Sequence, residues 1–217
     1  MSKTIDHIVF DLGNVLVPIE KQRAHDKLVQ HLPPDMEKLL REDVSAFDRL
    51  LIKPTVALES GVISFSEFQM TVKSILGINS NDMDFHTVYC DIFSLNRNMV
   101  DLGVSLSQQY NTWLASNTSD VHYMWILKRF PEVAFYKAAA LSFQLGVLKP
   151  ATEYFRKAIS LFNIDPQRSV FIDDLEENVA AAIQSGMFGI VFKGHSLLLQ
   201  ELERLGIEIP NVGRNAS

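Results

Sequence analysis

Residues Ile5-Asp6-His7-Ile8-Val9-Phe10-Asp11-Leu12-Gly13-Asn14 decide how this chain folds. A short run rich in β-branched residues stops at Asp-Leu-Gly-Asn, a cluster of turn formers, and so reads as a buried strand that delivers an aspartate into a loop. Runs of the same kind recur at Thr112 to Ser116, Ala138 to Ser142, Ser169 to Asp173 and Gly189 to Phe192. Helix-like stretches from Ser119, Ala151, Leu175 and Ser196 alternate with them. This alternation predicts an α/β fold, a Rossmann-like three-layer core with a parallel sheet between two layers of helices. Pro150 is expected in the first turn of the helix running to Leu161, and Gly186 just past the helix that precedes the last strand.

Between the first strand and the second, residues 20–95 show helical periodicity and no convincing strand. They read as a helical cap subdomain inserted after the first strand, with residues 1–19 and 96–217 forming the core. Ser64-Phe65-Ser66-Glu67 matches a capping box ahead of Phe68, Val72, Ile75 and Leu76, while Pro33-Pro34 and Gly61 punctuate shorter helices. Asn211 to Ser217 reads as a loose tail.

Composition narrows the partners. With 47% hydrophobic and 21% charged residues, a chain of 217 residues is far from the signature of disorder and buries a sizeable core. Twenty Lys and Arg against 26 Asp and Glu leave a net charge of −6, so no overall basic field draws it to nucleic acid or an anionic membrane. A small molecule is the expected partner. The lone Cys90 reads as a buried small hydrophobe and suits a reducing compartment. Met1 to His7 lacks a basic start and no window of 18 uncharged apolar residues occurs, so a cytoplasmic location is expected.

In an open parallel sheet, ligands bind outside the carboxyl ends of the strands. Asp11 lies there after the first strand, Ser116-Asn117-Thr118 after the second, Lys149 in the loop after the third and Asp173-Asp174 after the fourth. Carboxylates on separate strand ends can share Mg²⁺, and one of them can attack phosphorus; an ammonium and a hydroxyl can then balance the charge of the phosphoryl group. Taken singly the residues have plainer roles: Asp11 in a turn, Asp174 capping a helix, Lys149 as an exposed loop cation. Gly13 suits a turn that needs positive φ.

Phe10-Asp11-Leu12-Gly13-Asn14-Val15-Leu16, Leu114-Ala115-Ser116-Asn117-Thr118, Gly146-Val147-Leu148-Lys149-Pro150 and Val170-Phe171-Ile172-Asp173-Asp174 resemble, in order, the four motifs of the haloacid dehalogenase superfamily of hydrolases. The resemblance spans nearly the whole chain, and the inserted helical region is similar to that superfamily's cap. It is nearest the sugar-phosphate phosphatase branch that includes bacterial glucose-1-phosphate phosphatases and the amino-terminal domain of soluble epoxide hydrolase. This resemblance implies a Mg²⁺-dependent phosphatase acting on a small phosphorylated metabolite, with Asp11 as nucleophile and Mg²⁺ held by Asp11, the Gly13 carbonyl and Asp174. Ser116, Asn117 and Lys149 would bind the phosphoryl group, Asp173 would hold Lys149 or a water, and Asn178 would support the metal loop.

One position departs from the family pattern. Many phosphatases of the superfamily carry a second aspartate two residues after the nucleophile, as proton donor to the leaving oxygen, and here that position is Gly13. Such proton transfer is worth about 10²–10⁴-fold in rate. The gap keeps two other readings open: a 2-haloacid dehalogenase, whose halide leaves without a proton, and a catalytically weak binding or regulatory protein that keeps the fold. The paired Asp173-Asp174 argues against the dehalogenase. The six histidines show no metal-ligand spacing, and His122 reads as an ordinary helix residue. Arg23, Arg41 and Arg49 read as solvated helix-face charges.

Overall fold

The strands β1 (His7–Phe10), β2 (Asn111–Ser116), β3 (Ala139–Leu141), β4 (Ser169–Asp173) and β5 (Phe188–Val191) pair in parallel, in the order β3-β2-β1-β4-β5. This computed structural model describes residues 4–43, 45–79 and 83–209; the tail read at Asn211 to Ser217 lies outside them. Between β1 and β2 the chain forms α1 (Lys21–Val29), α2 (Pro34–Glu42), α3 (Ala46–Glu59), α4 (Phe65–Leu76) and α5 (Phe85–Cys90), then α6 (Arg97–Leu106). After β2 come α7 (Asp120–Arg129), the one-turn α8 (Ser142–Leu145), α9 (Thr152–Phe162), α10 (Glu176–Gln184) and α11 (His195–Arg204).

The strands are apolar on both sides because both faces of the sheet are covered. Ile8 and Phe10 of β1 point to one face, where they pack with Leu114, Ile172, Met99 and Leu106 of α6, Ile126 of α7 and Leu198 and Leu202 of α11. Val9 points to the other and packs with Phe171, Tyr154, Phe155 and Phe162 of α9 and Ala182 of α10. Strand periodicity of two thus divides one short run between two cores. The expected α/β/α layering is what the structure shows.

The pairing also fixes where the loops begin. Phe10 stands opposite Leu114 on one side and Ile172 on the other. One residue further on, Asp11, Ala115 and Asp173 therefore share a row, and the Asp11 N–H reaches the Ile172 carbonyl at 2.8 Å. Two carboxylates are delivered side by side by register alone.

Helices α1 to α5 have a hydrophobic core of their own, built on Leu28, Leu40, Leu58, Phe68, Val72, Leu76 and Phe85. Each fully buried aromatic or aliphatic side chain there contributes roughly 1.5–3 kcal/mol. The Ser64 capping box is present, with the Ser64 Oγ accepting from the Glu67 N–H and the Glu67 carboxylate accepting from the Ser64 N–H at 2.7 Å; α4 ends at Gly77 with φ +69°. Two chain segments join this unit to the sheet, held together by Glu20 N–H to Ile92 O (2.7 Å) and Ser94 N–H to Pro18 O (3.1 Å). Cys90 is buried, and Arg23, Arg41 and Arg49 pair on exposed faces with Glu20, Glu37 and Asp43. Among the described residues no helix is long and apolar enough to cross a membrane.

Two local expectations are corrected. Pro150 does not open a helix: the Lys149-Pro150 bond is cis, and α9 begins at Thr152. The Asn117 side chain grips the Lys149 backbone, so the chain turns first, with Ala151 N–H donating to Leu148 O at 3.1 Å. Nor does Gly13 hold positive φ; that conformation falls on the next residue, Asn14, at φ +55°. Asparagine tolerates it better than most side chains do.

Gly103 of α6 packs flat under Phe135, whose ring meets Phe10 edge-on at 5.5 Å. A Cβ at position 103 would lie 2.1 Å from Phe135 Cζ. Gly103→Ala gains about 1 kcal/mol in helix propensity and should still lose about 1–2 kcal/mol net, because the displaced ring overpacks the core. Urea unfolding measures it; an alanine variant more stable than wild type would contradict this packing.

Candidate active site

The row of Asp11, Ala115 and Asp173 is closed from above by one side chain. Lys149 Nζ donates to Asp11 Oδ1 at 2.7 Å, to the Ala115 carbonyl at 2.9 Å and to Asp173 Oδ2 at 2.6 Å. An ammonium has three protons, and here each finds an oxygen from a different strand. Lys149 is only 5% exposed and lies 5.2 Å from the centre of the Phe171 ring. The exposed-cation reading of Lys149 is therefore wrong: the loop after β3 returns over the sheet and buries it.

Two neighbours fix this arrangement. Asn117 Nδ2 donates to Lys149 O at 2.9 Å, and Lys149 N–H donates to Asn117 Oδ1 at 2.8 Å, so the amide clamps the lysine's own backbone. Asn178, in the first turn of α10, donates from Nδ2 to both Asp173 oxygens at 3.0 and 3.1 Å. Leu175 N–H adds a bond to Asp173 Oδ1 at 2.9 Å. Asp173 is fully buried and its oxygens are spent on protein donors.

Asp11 and Asp174 are less committed. Asp11 receives Lys149 on Oδ1, and Asp174 Oδ2 accepts from Asn14 Nδ2 at 3.0 Å; each has its other oxygen outside these bonds. The carboxylate atoms of Asp11, Asp173 and Asp174 come within 4.8 Å of one another. The Gly13 carbonyl stands outside the hydrogen bonds of its turn, since Asn14 N–H goes to Val17 O and the Leu16 and Val17 N–H groups both go to Leu12 O. The carboxylates of Asp11 and Asp174 meet here with oxygens to spare and an excess of negative charge, a set that fits a divalent cation such as Mg²⁺.

Electrostatics agree with a crowded site. Burial pushes the Asp11 carboxyl up to about 7, Asp173 adds to the rise and Lys149 opposes it. Burial pulls the Lys149 ammonium down, but Asp11 and Asp173 pull harder and its value ends above the usual lysine range. A buried lysine between two carboxylates stays charged.

Beside this row, lined both by loops at the strand ends and by residues of helices α1, α3, α4 and α5, lies a cavity of about 390 Å³. Gly13, Ser116, Asn117 and Thr118 form its floor, and Leu28, Phe47, Leu51, Phe68, Val72 and Phe85 are among its apolar walls. Among the described residues the Ser116 hydroxyl makes one hydrogen bond, to the Asn117 carbonyl at 3.4 Å, long for an O–H···O bond. His122, a buried residue of α7, does more than the ordinary helix residue expected: it lines the cavity wall, stacks on Tyr89 at 4.1 Å, and contacts the Tyr89 carbonyl through Nε2 at 3.1 Å. Burial pushes its imidazole down to about 4, so it is neutral.

The structure thus brings Asp11, Lys149, Asp173, Asp174, Asn117 and Asn178 together and places Ser116, next in sequence to Ala115, in the lining of the cavity. Asn178 braces Asp173 rather than Asp174. Sequence reading missed Asn14, although a residue suited to left-handed backbone beside Gly13 was a signal for it. It also missed Glu59, which reaches the cavity from the end of α3 with no local pattern to mark it.

Comparison with known proteins agrees with this geometry. Residues 5–186 match the family of haloacid dehalogenase-like hydrolases. D-ribitol-5-phosphate phosphatase of Bacteroides thetaiotaomicron is 25% identical over 186 residues, 81% of this chain and 85% of that protein. A flavin mononucleotide hydrolase of Arabidopsis thaliana is 34% identical over 64 residues, 30% of this chain and 26% of its own length. The solved structure of a wild-type HAD-family enzyme from Bacteroides thetaiotaomicron, in complex with magnesium and inorganic phosphate, superimposes with a TM-score of 0.74 at 25% identity, covering 89% of this chain and 98% of that one. With its four motifs meeting at one end of the sheet, the chain belongs to the haloacid dehalogenase-like hydrolases.

Proposed function

We propose that this hydrolase is a Mg²⁺-dependent phosphatase that cleaves a small phosphorylated metabolite, a sugar phosphate, through an aspartyl-phosphate on Asp11. The observation that carries the reading is the Lys149 ammonium bound at once to Asp11, Ala115 O and Asp173, with Asp174 beside them. The similarity to a ribitol-5-phosphate phosphatase supports it. Residues 20–95 act as the cap over the site, and the buried Cys90 thiol suits a cytoplasmic place of work.

Asp11, Asp174 and the Gly13 carbonyl would hold Mg²⁺, which when bound offsets charge on the phosphoryl oxygens. Asp11 attacks phosphorus. Lys149 fixes its carboxylate and balances the charge shared by nucleophile and phosphoryl group, a task that suits a buried cation in a site of low dielectric. The Ser116 hydroxyl and the Asn117 backbone N–H donate to phosphoryl oxygens, while the Asn117 side chain keeps the Lys149 segment in place. Asp173 and Asn178 hold Lys149 in register without touching substrate.

The intact Asp173-Asp174 pair and its bracing by Asn178 and Asn14 weigh against a 2-haloacid dehalogenase. A second reading of the substrate has an observation of its own. The cavity walls are largely aliphatic and aromatic, which suits a phosphate ester with an apolar or flat ring better than a polyhydroxylated chain.

A panel of sugar, polyol, nucleotide and aryl phosphates, assayed for phosphate release with Mg²⁺ and with EDTA, tests the activity and ranks these substrate classes. Release that needs Mg²⁺ and vanishes in Asp11→Asn is the expected result. Halide release from 2-chloropropionate in EDTA would establish the dehalogenase, and a folded chain inert on every substrate would establish the binding protein.

Lys149→Ala should cut turnover at least about 100-fold, the scale of losing one charge-stabilising donor. It should also destabilise the fold by about 3–5 kcal/mol, because two buried carboxylates lose their cation. Phosphate release and denaturant unfolding on the same preparation check both; a stable, active variant removes Lys149 from the site.

Mg²⁺ binding should weaken in acid. The Asp11 carboxyl is pushed up to about 7 by burial, so below that pH a proton occupies it and competes with the cation. Displacing one proton lowers apparent affinity by ~10-fold per pH unit. Calorimetric titration with Mg²⁺ at pH 5.5, 6.5 and 8 should show the loss below about 7 and little change above it; affinity flat across the range would exclude Asp11 as a ligand.

A further inference from the structure

We propose that Glu59, the last residue of the cap helix α3, is the general acid and base of the reaction, replacing the aspartate that position 13 lacks. The inference rests on the phosphatase reading above and names the group that handles its proton. Position 13 supplies none: it has no side chain, and Ile19 reaches into the space where one would begin, its terminal Cδ1 2.8 Å from an ideal Gly13 Cβ. A methyl group stands where the family's second carboxylate begins.

Glu59 lines the same cavity as Gly13, Ser116 and Thr118. Its place there is built rather than incidental. Ser142 Oγ accepts the Thr118 N–H at 2.9 Å and donates to the Glu59 carbonyl at 2.6 Å, tying the end of α3 to the core loop that carries Ser116. Two residues on, the chain turns at Gly61 with φ +69°, so close to the core that a Cβ there would lie 2.3 Å from the Phe143 carbonyl. Only glycine permits that contact. The cap backbone is thus docked on the core within two residues of the carboxyl.

The Glu59 carboxyl has no hydrogen bond or ion pair among the described residues. The charged and titratable groups around it are Lys21 from α1, Asp48 from α3, Tyr89 from α5, His122 from α7 and Lys149 from the core loop. Lys21 is paired with Asp48 at 3.2 Å and Lys149 with Asp11 and Asp173; His122 is neutral, and burial holds the Tyr89 phenol protonated. Burial pushes the Glu59 carboxyl up to about 7, with Lys21 and Lys149 opposing. Near neutral pH such a group can both give and take a proton, as a general acid and base must.

The steps balance as follows. Asp11 attacks phosphorus, the bond from phosphorus to the leaving oxygen breaks, and that oxygen keeps the electron pair and takes the proton from Glu59. Alcohol departs, leaving aspartyl-phosphate and the Glu59 carboxylate. Water then attacks phosphorus from the vacated side while Glu59 takes one of its protons. The bond to Asp11 breaks, returning the Asp11 carboxylate, inorganic phosphate and protonated Glu59.

The experiment compares n-butyl phosphate, whose alkoxide needs a proton to leave, with p-nitrophenyl phosphate, whose phenolate does not. In Mg²⁺, Glu59→Gln should lower turnover of the butyl ester by about 10²–10⁴-fold and remove the basic limb of its pH profile. With the nitrophenyl ester it should keep a stoichiometric burst of nitrophenol followed by a slow steady state, because only hydrolysis of the aspartyl-phosphate then lacks its base. Adding Gly13→Asp with Ile19→Ala, which clears the space, should restore part of the butyl activity to Glu59→Gln. Circular dichroism and Mg²⁺ titration confirm that each variant is folded and binds the ion. Wild-type turnover of the butyl ester by Glu59→Gln, or equal losses in butyl turnover and in the nitrophenol burst, overturns the assignment of Glu59 alone. A wild-type chain that releases phosphate from neither ester overturns the phosphatase reading instead.

Discussion

One buried ammonium organises this molecule. Lys149 Nζ meets Asp11, Ala115 O and Asp173, which stand in a single row on three adjacent strands, at 2.6 to 2.9 Å. Without it, register would force two carboxylates together inside the protein, where like charges and desolvation both act against ionisation. With it, two negative charges face one positive charge, and the half-buried Asp174 adds another negative charge at the rim. The residual charge is negative and lies where hard oxygen donors have lone pairs to spare, so the same geometry that stabilises the strand ends leaves them wanting a cation.

Much of the core can be understood as support for that tripod. The Asn117 clamp fixes the Lys149 backbone, Asn178 and the Leu175 N–H fix Asp173, and the Phe171 ring, on the same face of the sheet, lies 5.2 Å from the ammonium. Buried ion pairs are weak evidence for stability, because desolvation offsets their attraction. Here the bracing has a different value: each added hydrogen bond narrows the geometry in which Lys149 and Asp11 meet. Catalysis depends on that narrowness, since donors aimed in advance need no reorganisation when charge develops.

The fold was legible because its signals are local. Five short apolar runs alternating with helical stretches suffice to predict a parallel sheet, and β1 starts only two residues later than its run suggested. What failed involves contacts between distant segments. The plainer alternative for Lys149, an exposed loop cation, stayed open because nothing nearby in sequence shows that its loop folds back over the sheet, and Pro150 read as a helix start because the Asn117 clamp lies 32 residues away. Positive φ was expected at Gly13 and fell on Asn14, whose side chain is held both by the Ile19 N–H and by Asp174, 160 residues away in sequence. Of the candidate site, residues at strand ends were readable, because strand order places them together. Those delivered by the cap were not, because nothing in a helical pattern says which of its acids faces the core.

That asymmetry has a mechanistic side. A proton donor two residues after the nucleophile is carried by the core, so its distance from Asp11 is fixed whether or not the cap covers the site. Glu59 is carried by the cap, at the point where Gly61 meets Phe143 and Ser142 bridges to Thr118. On the proposed assignment its distance from the leaving oxygen would depend on helices α1 to α5 being seated on the core, and the same helices line the cavity with Leu28, Phe47, Phe68 and Phe85. Substrate fit and proton supply are then set by the same contacts, so binding energy from parts of the substrate far from phosphorus is expressed in turnover as well as in affinity. Replacing a core acid with a cap acid trades constant readiness for discrimination: an ester too small to fill the cavity would reach Asp11 and still wait for its proton.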